Sequence, residues 1–154
     1  MQFSDILKPE AVRVFSAISS KKRLMHELAN LAEAAYGLKQ SVTVDALIDR
    51  ESLGPTGVGN GVALPHARMD GLENVSGAMI LLQSPLDFSS VDRQPVDLIF
   101  GLFAPFEAGV DHLKALALVS RTLRDGSVCA KLRANESPAT LYTILTEAQS
   151  VQAA

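Results

Sequence analysis

Three side chains in this sequence combine into a recognisable chemistry, and a glycine-rich stretch surrounds two of them. Residues 50–68 read RESLGPTGVGNGVALPHAR, which begins at Arg50 and passes Gly54, Gly57, Gly59, Asn60 and Gly61 before Pro65-His66. A second histidine, His112, stands at the expected start of a helix. Neutral imidazole is a nucleophile near neutral pH, because its pKa lies near 6.5. It can take a phosphoryl group as a covalent phosphoramidate and so divide one transfer into two steps. A transferring phosphoryl group spreads its charge over three equatorial oxygens, so the surroundings must supply positioning and donors. Arg50, His112 and the backbone of Gly57, Gly59, Asn60 and Gly61 are the candidates, with His66 as the nucleophile. Arg68 is a further cation that could join a phosphate site or touch a donor protein. In principle no metal is required.

Each residue also has a plainer explanation. A loop histidine with no role accounts for His66 about as well when the residues are taken alone. A first-turn histidine facing solvent is the simpler account of His112. Arg50 lies near the end of a helix, where a cation complements the helix dipole. Pro65 fixes its own φ and lacks an N–H, which would help to aim the neighbouring imidazole.

Other glycine-linked chemistries fail on sequence. A P-loop requires a lysine after its glycines, and none follows here. The dinucleotide fingerprint requires a third glycine where Val62 stands. There is no G-x-S-x-G elbow. The three histidines are far apart and lie near no cysteine, so zinc is not indicated.

These residues need elements to hold them. Ser19 or Ser20 can cap a helix in which Leu24, Leu28, Leu31, Ala32 and Ala35 recur at helical spacing, with Gly37 as its stop. Thr43 is expected to cap the next helix, which ends near Leu53. Val12-Arg13-Val14 suggests a short strand. Gly77–Leu82 and Val96–Ala104 are the apolar strands, and Met69–Asn74 and Gln83–Gln94 read as loop or edge. After Pro105 the pattern turns helical. Leu113, Leu116, Ala117, Ser120 and Leu123 form its expected stripe. Ser127 or Val128 starts a short helix, and Ser137-Pro138 starts the last. The tail from Gln149 to Ala154 is expected to be loose. Strands mixed with amphipathic helices predict an α/β domain, with a mixed sheet flanked by helices on both faces.

The chain has 154 residues, 47% of them hydrophobic, and a net charge of −3. That length suits one domain, taken as residues 1–154. The charge gives no reason to expect nucleic acid or an anionic membrane as partner. The single cysteine, Cys129, reads as a small buried hydrophobe. No stretch is long and apolar enough to span a bilayer, and the N-terminus lacks a signal-peptide pattern, so a cytoplasmic protein is expected.

GVGNGVALPHAR resembles the phosphorylation-site signature of the enzyme IIA components of the bacterial phosphoenolpyruvate-dependent sugar phosphotransferase system. The likeness is to the fructose/mannitol type, and especially to its nitrogen-regulatory branch. It extends to Arg50-Glu51, to QPVDLIFGLFAP (residues 94–105) and to HLKALALVSRTLRD (residues 112–125). Pro55 departs from it, standing where a small residue such as Ser or Ala is expected. The resemblance implies that an HPr-type histidine phosphocarrier phosphorylates His66. It implies that His112 is the second active-site histidine and Arg50 the active-site arginine. It also implies a regulator whose phosphorylation state controls other proteins, including sensor kinases and potassium transporters, with no cofactor and no membrane insertion. A sugar-specific component that passes phosphate to a transporter IIB domain is the alternative. A binding module that is never phosphorylated is the other.

Overall fold

The computed structural model of the chain describes residues 1–153, and side chains as far as Ala148. A mixed sheet forms its centre. The strands are β1 (Leu7–Phe15), β2 (Gly57–Gly59), β3 (Val62–Ala63), β4 (His66–Met69), β5 (Ser76–Leu86) and β6 (Val96–Pro105). Their order is β1-β5-β6-β3-β2, with β4 also on β6. β6 is the central strand. It runs antiparallel to β5 and parallel to β3 and β4. Its residues from Leu98 to Phe103 are apolar or glycine and buried, the pattern of a strand covered on both faces. Pro9 is tolerated because β1 is an edge strand, and the β1–β5 register shifts between Leu7 and Val12.

The helices are α1 (Phe3–Ile6), α2 (Lys21–Tyr36), α3 (Gln40–Ser52), α4 (Val110–Leu123), α5 (Gly126–Arg133) and α6 (Pro138–Ala153). They cover both faces. A Cβ at Gly101 would lie 3.1 Å from Leu28 Cδ2, so α2 packs on that side of β6. Phe100 points the other way and meets Phe3 of α1 edge-on at 5.8 Å between ring centres. α6 contacts α1 and β1, and α4 and α5 contact α6.

α2 begins and ends as its sequence predicts. The Ser20 side chain accepts from Arg23 N, and Gly37 takes a left-handed conformation at φ 75°. Elsewhere the boundaries move. α3 starts at Gln40, so Thr43 lies inside it, and its hydroxyl donates to Lys39 O rather than capping. Asp125 caps α5 and accepts from Ser127 N. Phe3–Ile6 is a helical turn, and β1 extends well beyond Val12–Val14. The region read as Met69–Asn74 loop begins with the last residue of β4, and β5 continues through Gln83–Leu86. α6 carries its backbone helix through 149–153, where a loose tail was expected; Ala154 lies outside the described residues.

The stripe on α4 is the correction that matters most for the site. Its buried residues are His112, Ala115, Leu118, Val119, Thr122 and Leu123. Leu113, expected inside, is 66% exposed, and Ala117 is also exposed. The true face is displaced by one residue and includes the histidine.

Candidate functional site

The glycine-rich stretch is a β-hairpin. β2 pairs antiparallel with β3. Asn60 and Gly61 connect them at φ 57° and 77°. Positive φ at both central residues is what a two-residue type I′ turn requires, and Asn-Gly is its favoured pair. That dipeptide was the sequence signal for the hairpin. Contacts hold the tip. Arg133 Nη2 donates to Asn60 O at 2.7 Å, and its Nε and Nη2 grip the Asp97 carboxylate at 2.9–3.1 Å. Gly61 O accepts from Asp97 N and Leu98 N, both at 3.0 Å. At Gly57 a Cβ would overlap Ser90.

Beyond β3 the chain leaves β6 at Leu64-Pro65 and rejoins it as β4. Pro65 has no N–H to offer the ladder. Its carbonyl accepts from Leu102 N at 2.9 Å, and His66 is the first residue of the resumed strand. His66 Nδ1 lies 2.8 Å from Leu64 O. A carbonyl can only accept, so Nδ1 carries the proton and Nε2 carries the lone pair. Arg50 Nε donates to that Nε2 at 3.3 Å, and Arg50 Nη1 donates to Gly54 O at 3.0 Å. The last turn of α3 positions this guanidinium.

The His112 ring lies 5.7 Å from the His66 ring, edge-on at 68°. It reaches the site from the first turn of α4, which Gly109 enters at φ 53°. His112 is buried, not solvent-facing, and its Nε2 has no hydrogen-bond partner. Burial pushes its pKa below the ordinary 6.5, and the neighbouring His66 and Arg68 push the same way. Its resting form is therefore the neutral imidazole. Arg68 is exposed, and its Nη1 donates to Phe106 O at 2.9 Å.

The fold thus brings Arg50, His66 and His112 together, with Arg68 beside them. It does not bring the hairpin turn there. Gly61 aligns with Asp97–Leu98 of β6, whereas His66 aligns with Leu102. Four residues of strand at about 3.3 Å each separate them by roughly 13 Å. Gly57, Gly59, Asn60 and Gly61 build the hairpin: Asn60 and Gly61 form its distant tip, while Gly57 pairs with Ala63, three residues before His66.

Sequence reading missed two features. One is an apolar rim, with Leu53, Phe106, Val110 and Leu113 all more than half exposed. Leu53 follows α3 just after Arg50, and Val110 and Leu113 flank His112 in the chain. The other is the engagement of Glu51 with Thr56. Among the described residues no group of His, Cys, Asp and Glu could hold a metal ion, and no helix is long and apolar enough to cross a membrane.

The pattern of the family described as "Phosphoenolpyruvate-dependent sugar phosphotransferase system, EIIA 2" matches residues 5–148. A nitrogen regulatory protein of Bradyrhizobium diazoefficiens is 43% identical over 145 residues, which span 94% of this chain and 95% of that one. A fructose-specific EIIA component of Haloferax volcanii is 32% identical, over 94% of each chain. The crystal structure of nitrogen regulatory protein IIA-Ntr from Neisseria meningitidis superposes with a TM-score of 0.86 at 34% identity. It covers 94% of this chain and 99% of that one.

Proposed function

This chain belongs to the EIIA 2 family of the phosphoenolpyruvate-dependent sugar phosphotransferase system, and on that premise we propose that His66 accepts a phosphoryl group on Nε2 from an HPr-type histidine phosphocarrier. Residues 1–154 act as one cytoplasmic domain in this reading. Its phosphorylation state then regulates other proteins, of the nitrogen- and potassium-related kind such as sensor kinases and potassium transporters. The name of the Bradyrhizobium relative supports regulation over transport.

The observation that carries the chemistry is the state of the His66 ring. With Nδ1–H given to Leu64 O, the lone pair is on Nε2, on the side where Arg50 stands. In the transfer a new N–P bond forms at Nε2. The N–P bond to the carrier's imidazole breaks, and its electron pair leaves on the carrier nitrogen. The His66 proton does not move, because the Leu64 carbonyl keeps it and stabilises positive charge on Nδ1. Arg50 Nε–H, which covers the lone pair at rest, shifts to an incoming phosphoryl oxygen. His112, neutral and unpartnered at Nε2, offers that atom to the group as it passes. Donors set in advance on the developing charge are worth far more in a dry site than in water. The apolar rim of Leu53, Phe106, Val110 and Leu113 is suited to exclude that water when the carrier docks.

The test is an intact mass after incubation with phosphoenolpyruvate, the upstream enzyme and the carrier. One phosphate is expected on the native chain and none on His66→Ala. A phosphate gain that survives His66→Ala overturns the nucleophile, and no gain on the native chain favours a pure binding module. The Haloferax relative supports a second reading, in which phosphate passes on to a sugar transporter's IIB domain. Rapid discharge of phosphorylated chain onto a fructose-type IIB domain would favour it.

A further inference from the structure

Glu51 follows Arg50 in the chain and touches neither histidine, yet its contacts surround the loop on which Arg50 depends. Its side chain is 8% exposed. A carboxylate so buried needs compensation, because desolvation of an unpaired charge is costly. Lys21 Nζ lies 2.6 Å from Oε1. Thr56 donates twice, from its backbone N to Oε1 at 2.9 Å and from Oγ1 to Oε2 at 2.6 Å. Lys21 is itself fixed. Its ammonium donates to Phe88 O at 3.1 Å and lies 4.4 Å from the centre of the Phe88 ring. The first residue of α2 therefore anchors a carboxylate at the end of α3, which in turn anchors Thr56 at the entry to β2.

Between those anchors lie only Ser52, Leu53, Gly54 and Pro55. The Gly54 carbonyl is the acceptor that holds Arg50 Nη1, and Gly54 is two residues from Thr56. With consecutive Cα atoms 3.8 Å apart, Pro55 alone links Thr56 to Gly54, so a displacement of Thr56 is readily passed to Gly54. The guanidinium has two restraints, Gly54 O and His66 Nε2. The first orients its fork before any phosphate arrives. We infer that Glu51 is a positioning residue, whose hold on Thr56 sets the Gly54 carbonyl so that Arg50 is aimed at His66. The inference rests on the proposed role of Arg50 in phosphoryl transfer, but its structural half can be tested without that role.

Two variants of the full chain separate positioning from simple stabilisation. Glu51→Gln keeps the volume and an acceptor oxygen but removes the charge that holds Lys21. Thr56→Val removes only the Oγ1 bond. The first readout is the NMR resonance of the Arg50 Nε–H, assigned by its loss in Arg50→Lys. It is expected to move toward the position of a free arginine in both variants, further in Glu51→Gln. The second is the phosphorylation rate of His66 at saturating carrier. It is expected to fall about tenfold in Glu51→Gln and about threefold in Thr56→Val, with the carrier KM unchanged, as misplaced reacting groups lose rate rather than affinity. An unmoved Arg50 Nε–H in both variants overturns the inference, even where thermal stability falls. If the native chain takes no phosphate, the functional reading fails, and the resonance alone still decides whether Glu51 positions Arg50. If Glu51→Gln does not fold, Thr56→Val carries both readouts.

Discussion

Two arginines grip the same stretch of chain from opposite ends. Arg133 holds the hairpin tip, and its donors meet the Asp97 carboxylate and the Asn60 carbonyl. Arg50 holds the other end, where its donors meet a neutral imidazole and a backbone carbonyl. Among the described residues no carboxylate pairs with Arg50. Arg133 has its charge neutralised by a permanent partner, which suits an architectural tie. Arg50 is oriented without being neutralised, so its charge stays available to an arriving anion. Side chains of one type separate into structure and function by what they are bonded to, not by how close they lie to glycines.

The strongest way to break this contrast is Arg50→Lys. Lysine keeps the charge and loses the planar fork, so it cannot satisfy Gly54 O and follow a phosphoryl oxygen together. Phosphorylation of His66 is expected to slow on the order of a hundredfold, as for loss of one transition-state donor. Single-turnover kinetics from phosphorylated carrier measure it. A loss under threefold would make Arg50 as architectural as Arg133.

Gly61→Ala attacks the other end. Its φ of 77° disfavours a side chain, and the added methyl would lie 2.6 Å from Arg133 Nη2 and 2.9 Å from Asp97 Oδ1. A stability loss of about 2 kcal/mol is expected from the strain and the disturbed ion pair, read by urea denaturation. The folded variant should still take phosphate within about twofold of the native rate, because the turn lies roughly 13 Å from His66 along the strands.

His112 sharpens the contrast through pH. Its folded pKa is lowered from 6.5. Well above that pH both folded and unfolded states hold it neutral, and it adds no pH dependence. As pH falls through 6.5 the unfolded state takes the proton first, so stability drops until the folded pKa is passed. His112→Gln is expected to flatten the stability curve from about pH 7 to 5, measured by thermal unfolding across that range. An unchanged slope would mean that His112 is not held neutral beside His66 and Arg68.

The smallest effect belongs to Arg133→Lys. The pair with Asp97 is partly exposed. Loss of the bidentate geometry is expected to cost about 1 kcal/mol or less and to leave phosphorylation unchanged.

The sequence makes α2 legible because its limits are local. Ser20 bonds within three residues, and Gly37 needs only its own φ. β5 and β6 are legible because long apolar runs survive any partner. The site's scaffold depends on distant contacts and is harder to read. β4 is a four-residue strand containing His66 and Arg68, and only its pairing with Leu102–Pro105 makes it a strand. The α4 face was misplaced because counting apolar residues rewards Leu113 and Leu116 and ignores His112 and Thr122. The exposed Leu113 belongs to the rim, not the core. Thr43 has the right type for a cap, but its hydroxyl finds Lys39 O inside the helix. Arg50, His66 and His112 are readable from the chain as candidates, and the structure brings the three side chains together. The placement of the hairpin turn away from them was not legible, because it depends on which part of β6 each residue pairs with.

The sheet order has a consequence in time. β1 pairs only with β5, and Leu7 meets Gly77 seventy positions later. β3 and β4 wait for β6, which begins at Val96. As the chain emerges from the ribosome, the small β2–β3 hairpin is the first strand pairing it can make, and the antiparallel β5–β6 pair follows across residues 87–95. The parallel pairings of β1, β3 and β4 must wait for a partner strand made later. Such delayed closure is entropically expensive and slows folding. Until β5 is made, the nascent chain carries β1 without its partner strand, and the proline within it offers one less N–H to any stray strand.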